Sequence, residues 1–326
     1  MSKLIISLLG TCLLIGTSHA ADFKVLVVMS YEEDNPWVKE IREGIDGVLA
    51  NTSEIVYFYM NTKKDRAGGA KKAEEAMALY KSLQPNGVIT ADDDAQAMFV
   101  VPYLKDRVTT PVIFNGVNAE ASAYGYPNAH ISGVLERAHV RESLAFAKQL
   151  LPNIGNACIL TNQVPAGQAL RDQVEMEKTS YPAHFQSFFM VKTVDELQAL
   201  GKTLNNKCDS LLVDSLEGIA DQAGNSLNNL EVLRLLKRIY DRPILAGNRY
   251  QVEQGAWAAV VKTGQEQGEL SAEMLLAAMR GKPVSEIPIT KNIRGQRVIN
   301  VTALEAHQLT LKPMVLRGAT LVREQP

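Results

Sequence analysis

Apolar strands alternate with amphipathic helices along residues 23–116, and this alternation constrains the fold more than any other feature of the sequence. The run 23–29 (FKVLVVM) is continuously apolar, as in a strand that is buried on both faces. Asn35 and Pro36 then form a helix start, and apolar residues recur at helical spacing up to Leu49. Further strands are predicted at 55–60, 87–90 and 111–114, with helices at 67–83 and 94–104. This order predicts a parallel sheet wrapped by helices.

A second unit of the same kind follows a connector at residues 128–140. Its predicted strands are 157–160, 185–191, 210–213 and 243–246, and its helices are 140–151, 167–178, 194–204 and 227–240. A final section is predicted as strand 257–261, helix 266–280, strand 297–301 and helix 303–308. The length of 326 residues also suggests two domains, at about 150 residues each. We therefore expect an α/β protein with two doubly wound, Rossmann-like lobes.

The first twenty residues, MSKLIISLLGTCLLIGTSHA, have the pattern of a secretory signal peptide. Lys3 supplies the positive charge, an apolar stretch follows, and Ser18 and Ala20 match a small-residue cleavage site. Thr11 is a poor residue before a lipid-modified Cys12, which argues against a lipoprotein. We expect cleavage after Ala20 and a soluble periplasmic protein. An uncleaved membrane anchor is the alternative.

Removal of residues 1–20 leaves Cys158 and Cys208, an even number in an oxidising compartment. Cys158 begins the first strand of the second unit, and Cys208 just precedes the third. These strands are neighbours in a doubly wound sheet of order 2-1-3-4-5. We therefore expect the two Cα atoms within about 7 Å, the range that a disulfide requires. Two buried free thiols are the alternative to a disulfide.

Composition and motifs favour binding over catalysis. The chain has 34 Lys and Arg against 36 Asp and Glu, with no long basic run. Charge therefore gives no reason to expect a nucleic-acid or anionic-membrane partner. The sequence has no dinucleotide-binding glycine motif, no P-loop, no nucleophile elbow and no histidine pair at metal-ligand spacing. We expect a protein without catalytic activity, cofactor or metal, acting as a monomer.

Ligands of open α/β sheets bind outside the carboxyl ends of the strands, so two facing lobes would enclose a cleft there. The residues at these ends are mostly polar, as a small polar solute requires. In the first unit the candidates are Ser30, Tyr31, Glu32, Trp37, Thr90, Asp92, Asp93, Asn115 and Asn118. In the second unit they are Thr161, Asn162, Asp214, Asn248 and Arg249.

Four acids among these candidates favour a solute with a positive group, and we expect an amino acid or an amine. The reason is that a buried ammonium needs a paired carboxylate, here from Glu32, Asp92, Asp93 or Asp214. A carboxylate on the same solute would be held by helix N-terminal N–H groups or by Arg249. The alternative is that the acids face solvent and merely cap helices.

Several segments, in the same order along the chain, resemble one protein family. They are VVMSYEEDNPWVKEIREGI (27–45), PVIFNGVNAE (111–120), HISGVLE (130–136), GKPVSEIPI (281–289) and VINVTALEAHQL (298–309). The set resembles the substrate-binding components of ABC transporters, in the group that includes tryptophan- and tyrosine-binding proteins. The resemblance implies the type I periplasmic binding protein fold, with two lobes joined by a three-strand hinge. Lobe one would hold 22–130 plus 255–282, and lobe two 131–254 plus 283–326.

The resemblance implies a protein that closes on a small-molecule solute and delivers it to a membrane permease. A periplasmic sensor that closes in the same way and reports to a membrane receptor kinase or a cyclic-dinucleotide receptor is the second reading. A secreted hydrolase that uses Asp92, Asp93 or Asp214 is the third. One departure concerns the ligand: the loops 32–34 and 92–94 are acidic, whereas amino-acid-binding relatives are often rich in Ser and Thr at the second loop.

Overall fold

The protein contains two β-sheets, and nearly all of their neighbouring strands are parallel. The computed structural model describes residues 21–309 and 313–324. The predicted signal peptide at 1–20 and its cleavage site lie outside the described residues. No helix in the described part of the chain is long and apolar enough to cross a membrane.

The strands and helices follow the predicted alternation. The strands are β1 (Phe23–Met29), β2 (Ser53–Tyr59), β3 (Gly87–Ala91), β4 (Val112–Val117), β5 (Ile131–Leu135), β6 (Asn156–Asn162), β7 (His184–Val191), β8 (Ser210–Asp214), β9 (Ile244–Ala246), β10 (Ala258–Val261), β11 (Thr290–Lys291), β12 (Gln296–Asn300) and β13 (Ala319–Val322). The helices are α1 (Pro36–Leu49), α2 (Gly69–Leu83), α3 (Asp92–Ala95), α4 (Val140–Leu150), α5 (Pro165–Glu177), α6 (Val194–Ala199), α7 (Gly201–Lys207), α8 (Asn229–Ile239), α9 (Arg249–Glu253), α10 (Gly264–Met279), α11 (Val301–Ala306) and α12 (Pro313–Leu316), and a π-helical segment, Gln96–Leu104, continues α3. Sequence reasoning missed β5, which lies in the predicted connector 128–140, as well as β11, β13 and the short helices α9 and α12.

The first sheet has the strand order β11-β5-β4-β3-β1-β2, and its neighbouring strands are parallel. Both faces of β1 are buried because successive side chains point to opposite faces. Val25, Val27 and Met29 pack with α1 and α10, whereas Leu26 and Val28 pack with α2 and the π-helical segment. This two-sided burial explains the continuous apolar run in the sequence.

Helix α10 comes late in the chain but packs against α1 in the first lobe. The contact is close because both helices carry glycine where they meet. A Cβ atom on Gly44 would lie 2.2 Å from the Gln265 carbonyl oxygen, and one on Gly268 would lie 2.1 Å from the Ile41 carbonyl oxygen. No side chain fits at those distances, so the two glycines set the separation of the helices.

The second sheet has the order β13-β12-β10-β9-β8-β6-β7, and only its β10–β12 pair is antiparallel among the described strands. The first and third strands of this unit, β6 and β8, are neighbours, as predicted. Cys158 and Cys208 form a disulfide with their Cα atoms 5.6 Å apart, inside the expected range. Both cysteines are fully buried in the core between this sheet and helices α6 to α8.

The chain passes between the two sheets after β5, after β10 and after β11. These passages, which we call the crossovers, correct the predicted lobe boundaries. Residues 131–135 hydrogen-bond to β4 in the first sheet, whereas the prediction assigned them to lobe two. Residues 258–261 belong to the second sheet, and 290–291 join the first through β5. The predicted boundaries came from the family resemblance, whereas the boundaries in the structure follow strand pairing.

Candidate functional site

Charged side chains from both lobes meet at the crossovers. Glu136 follows β5, Lys262 follows β10, and the Lys262 Nζ lies 2.9 Å from the Glu136 Oε1. The two side chains are only 8% and 12% exposed, respectively. Burial disfavours the charge of Lys262, but Glu136 and then Asp214 outweigh it and raise the pKa of Lys262 above its usual range. Asp214 lies at the end of β8 in the second sheet, and its charge acts on Lys262.

Asp92 is a buried carboxyl group at the end of β3. Its residue is 1% exposed, and the Trp37 Nε1 donates a hydrogen bond of 3.0 Å to its Oδ1. Its Oδ2 is buried without a hydrogen-bond partner in the described part of the chain. Burial and the nearby charge of Glu136 raise the pKa of Asp92 well above its ordinary value. A buried carboxyl group that lacks a hydrogen-bond partner is stable either in its neutral, protonated form or when it is paired with a cation.

The backbone around Asp92 is shaped to hold this side chain. Asp92 has a φ of 67° and Gly116 a φ of 66°, both in the left-handed region. A Cβ atom on Gly116 would lie 2.8 Å from the Asp92 Oδ1. Gly116 is therefore needed for two reasons, its conformation and the close approach of the carboxyl group. Its amide donates a hydrogen bond of 2.9 Å to the Gln267 Oε1, which fixes the strand end to α10.

Two aromatic side chains border Asp92. Tyr31 and Trp37 are half-buried and pack against the core cluster between the first sheet and helices α1 and α10. The charge of Asp92, then burial, then the charge of Glu136 raise the pKa of Tyr31. The charges of both carboxyl groups therefore act on the phenol. We call Tyr31, Trp37, Asp92, Glu136, Asp214 and Lys262 the crossover site.

Two of the four predicted acids are engaged elsewhere. The Glu32 Oε1 accepts a hydrogen bond of 2.7 Å from the backbone N–H of Lys64. The Asp93 carboxylate accepts bonds from the backbone N–H groups of Asn118 and Ala119, at 3.0 and 3.2 Å, and from the Tyr124 hydroxyl at 2.8 Å. These two carboxylates hold neighbouring loops, which is neither the predicted solute contact nor the solvent-facing helix cap of the alternative. An open depression of about 720 Å³ lies beside Glu32, and no residue of the crossover site lines it.

Several polar residues that were predicted to bind the solute make hydrogen bonds within the protein instead. The Ser30 Oγ donates to the Ala91 carbonyl oxygen at 2.6 Å and accepts from the Ala95 N–H at 2.8 Å. Thr90 accepts a bond of 3.1 Å from the Gln96 Nε2. These residues hold the first turn of α3 and the π-helical segment against the sheet, so they position Asp92.

Thr161 and Asn162 are buried at the end of β6, and Asn115 is buried within β4, which extends to Val117. The Asn115 Nδ2 donates to the Ser271 Oγ at 2.8 Å, and the Asn162 Nδ2 donates to the Glu217 carbonyl oxygen at 2.6 Å. The Thr161 hydroxyl is buried without a partner in the described ranges. Asn115 and Asn162 thus link their strands to a neighbouring helix and a neighbouring loop.

The remaining predicted residues lie at the border of the site. The Asn248 Nδ2 donates to the Asp214 Oδ1 at 2.9 Å, and the Asn118 Nδ2 lies 3.5 Å from the Glu136 Oε2. Arg249 is exposed, and its Nε donates to the Glu253 Oε1 at 2.9 Å. Its guanidinium is therefore already paired, contrary to the expected role as a holder of a solute carboxylate.

Sequence reasoning missed Glu136 and Lys262. Each is a charged residue directly after an apolar strand, which was the available signal. The signal did not lead to these two residues, because the predicted lobe boundaries lay at other positions. Within residues 21–309 and 313–324, no three His, Cys, Asp or Glu side chains lie close enough together to hold a metal ion.

The comparisons with known proteins point to one family. The family model described as "ABC transporter substrate binding protein" matches residues 25–323. A search of curated protein sequences finds no significant match. Similar solved structures include a Streptococcus pneumoniae ABC domain in complex with L-Trp, with 18% identity, a TM-score of 0.64, and coverage of 93% of this chain and 100% of that one.

Two further solved structures have the same fold. One is the ligand-free, open form of a Clostridium difficile substrate-binding protein with adhesive properties (16% identity, TM-score 0.72, 93% and 100% coverage). The other is a periplasmic ribose ABC transporter protein from Conexibacter woesei (15% identity, TM-score 0.52, 90% and 97% coverage). At these identities the likeness concerns the fold alone. It confirms the predicted type I periplasmic binding protein fold.

Proposed function

Because the chain belongs to the family of ABC transporter substrate-binding proteins, we propose that it binds a small solute with a positively charged group at the crossover site and delivers it to a permease. Proteins of this family bind small-molecule solutes and work with the permeases of ABC transporters. The amino acid or amine predicted from the sequence remains the solute class that we propose.

The observation that carries this proposal is the Asp92 carboxyl group. It is buried, one of its oxygens has no partner in the described residues, and it lies near a second carboxyl group, that of Glu136. Leaving a desolvated carboxylate unpaired costs several kcal/mol (roughly 3–5). An ammonium group removes this cost, because it supplies both the charge and the hydrogen-bond donor that Oδ2 lacks.

The surroundings of Asp92 suit an ammonium group better than an anion. Tyr31 and Trp37 offer aromatic surface, which attracts cations through the ring quadrupole. Glu136 and Asp214 add negative charge, and Lys262 pairs with Glu136. Because residues of both lobes and the crossovers contribute, a solute bound here would favour the closed arrangement of the lobes.

Calorimetry with matched ligands tests the proposal. The panel pairs L-tryptophan with N-acetyl-L-tryptophan and putrescine with N,N′-diacetylputrescine, in which no nitrogen is cationic, and adds L-arginine as a further cation. L-tryptophan is included because it occupies the Streptococcus pneumoniae structure. We expect at least one amine to bind and its acetylated form to bind much more weakly.

Variants of the acids complete the test. Asp92→Asn keeps the shape of the side chain and removes its charge, and we expect about 30-fold weaker binding or more, as for other buried charge pairs. Asp214→Asn should weaken binding less. Asp34→Asn is the matched control, because Asp34 is exposed and pairs with Lys64. Wild-type affinity in Asp92→Asn, or a ligand that is neutral or anionic, would refute acidic recognition.

We also propose that the protein works in the periplasm. The support is the signal-peptide pattern of residues 1–20 together with a family of extracytoplasmic binding proteins. Mass spectrometry of the periplasmic fraction should find a mature N-terminus at Ala21. A lipid-modified Cys12, or a chain that retains residues 1–20, would contradict this.

A further inference from the structure

The loop after β2, residues 61–66, brings basic residues against the acidic edge of the first lobe. Thr62 is buried, and its N–H and Oγ1 both donate to the Ser30 carbonyl oxygen at 2.9 Å. These bonds fix the backbone of Lys63 beside the end of β1, where Tyr31 follows Ser30. The place of Lys63 is therefore set by buried contacts, although its side chain is exposed.

The neighbours of Lys63 in this loop pair with acids. The Lys64 Nζ lies 3.1 Å from the Asp34 Oδ1, and the Arg66 Nε lies 3.1 Å from the Asp94 Oδ1. Lys63 differs: within the described ranges, no carboxylate oxygen lies within 4.0 Å of its Nζ. Its Nζ stands 4.7 Å from the centre of the Tyr31 ring instead. Lys63 thus makes the kind of contact with Tyr31 that a cationic solute would make.

The charge of Lys63 also reaches Asp92. The ammonium group counteracts the effects of burial and of Glu136 by lowering the pKa of Asp92. Apart from Asp92 itself, the charges with the largest effects on Asp92 and Tyr31 are those of Glu136, Asp93, Asp94 and Lys63. Lys63 is the cation among these four groups, and its side chain is exposed.

We propose that in the empty protein the ammonium group of Lys63 occupies the position that the cation of the solute takes in the complex. It lies over the face of Tyr31 beside Asp92, and a bound solute displaces it. This inference rests on the proposed function, because it assumes that the solute is cationic. It makes Lys63 a specificity-determining residue. Neutral solutes gain nothing from displacing it, whereas cations replace its interactions with their own.

Removal of the Lys63 charge should strengthen cation binding. A unit charge several ångströms from a bound ammonium, partly screened by solvent, changes affinity by about three- to tenfold. We therefore expect Lys63→Met to bind putrescine and L-arginine about three- to tenfold more tightly than wild type. Lys63→Arg keeps the cation and should resemble wild type, as should Lys64→Met, whose lost ammonium pairs with Asp34 on the exposed edge.

A second readout needs no ligand. Trp37 donates a hydrogen bond to Asp92, so its fluorescence reports the ionisation of Asp92, and Trp257→Phe removes the other tryptophan signal. In this background Lys63→Met should raise the pH midpoint of the Trp37 signal, whereas Lys64→Met should not. An unchanged midpoint in Lys63→Met would overturn the proposal whatever the ligand is.

The two readouts separate the failure of this inference from the failure of the proposed function. Weaker cation binding by Lys63→Met would show that Lys63 holds an anionic group of the solute, and would overturn the inference. If no cation binds wild type or Lys63→Met, the proposed solute class is wrong. The proposed displacement of Lys63 is then also wrong, even if the pH midpoint of the Trp37 signal shifts. If cations bind Lys63→Met but not wild type, displacement is supported in its strongest form.

Discussion

Removing the disulfide should destabilise the second lobe by about 4 kcal/mol. Cys158 and Cys208 are separated by 50 residues. In the chain-entropy model, opening a loop of that size releases about 14 cal/mol/K of unfolded-state entropy, which is about 4 kcal/mol at 25 °C. This is a large share of the roughly 5–15 kcal/mol that stabilises a typical domain.

Urea unfolding of the oxidised protein, the reduced protein and Cys158→Ala/Cys208→Ala measures the effect. Reduction keeps both sulfur atoms in the core, so it isolates the loss of the cross-link. The double alanine variant adds the cost of smaller buried side chains. Trp257, at the start of β10, reports the second lobe, and Trp37, at the start of α1, reports the first, so single-tryptophan variants locate the change.

The expected result is a loss of about 4 kcal/mol on reduction, seen mainly through Trp257. A loss below about 1 kcal/mol would refute the chain-entropy reasoning for this loop. An equal loss at Trp37 would show that the two lobes unfold as one unit. That result would leave the magnitude intact but contradict its assignment to the second lobe.

The remaining predictions concern the crossover site. The folded pKa of Asp92 is raised, so the stability of the wild type is fully present below the unfolded pKa of about 4 and is lost as pH rises through the folded pKa. Asp92→Asn lacks this titration, so its stability relative to wild type should increase as pH rises. Urea unfolding at several pH values checks this, and parallel pH profiles for the two proteins would contradict it. Lys262→Met should cost about 3–5 kcal/mol because it leaves Glu136 buried without its cation, whereas Glu136→Gln/Lys262→Met should cost clearly less than the single change. Strictly additive losses in the same unfolding assay would mean that the two groups do not interact.

The alternation of strands and helices could be predicted because it depends on local patterns. The run 23–29 is apolar at every position, and the structure buries both faces of β1. The placement of α10 in the first lobe was predicted from the family resemblance alone, because local patterns do not reveal contacts between segments far apart in sequence. Local patterns also do not reveal strand membership at the crossovers, where hydrogen bonding between strands decides which sheet 131–135 and 258–261 join.

The candidate site could be predicted only as a set of positions. The rule that ligands bind at the carboxyl ends of strands led to Asp92 and Tyr31. It could not separate Asp92 from its neighbour Asp93, since the difference lies in a loop more than twenty residues away. The N–H groups of Asn118 and Ala119 occupy Asp93 and leave Asp92 without such partners.

The charges of the first lobe fall into two groups with different consequences. On the exposed edge, Asp34 and Asp94 pair with Lys64 and Arg66, and exposed pairs of this kind contribute about 0–1 kcal/mol each and are screened by salt. The acid-rich loops seen in the sequence therefore do not form a strong negative field at the surface. The Asp92 carboxyl group, by contrast, is desolvated, so a cation beside it interacts through a medium of much lower dielectric constant than water. If the protein functions as proposed, discrimination between solutes depends on that one buried group and on the neighbours that act on its charge, Glu136, Asp93 and Lys63 among them.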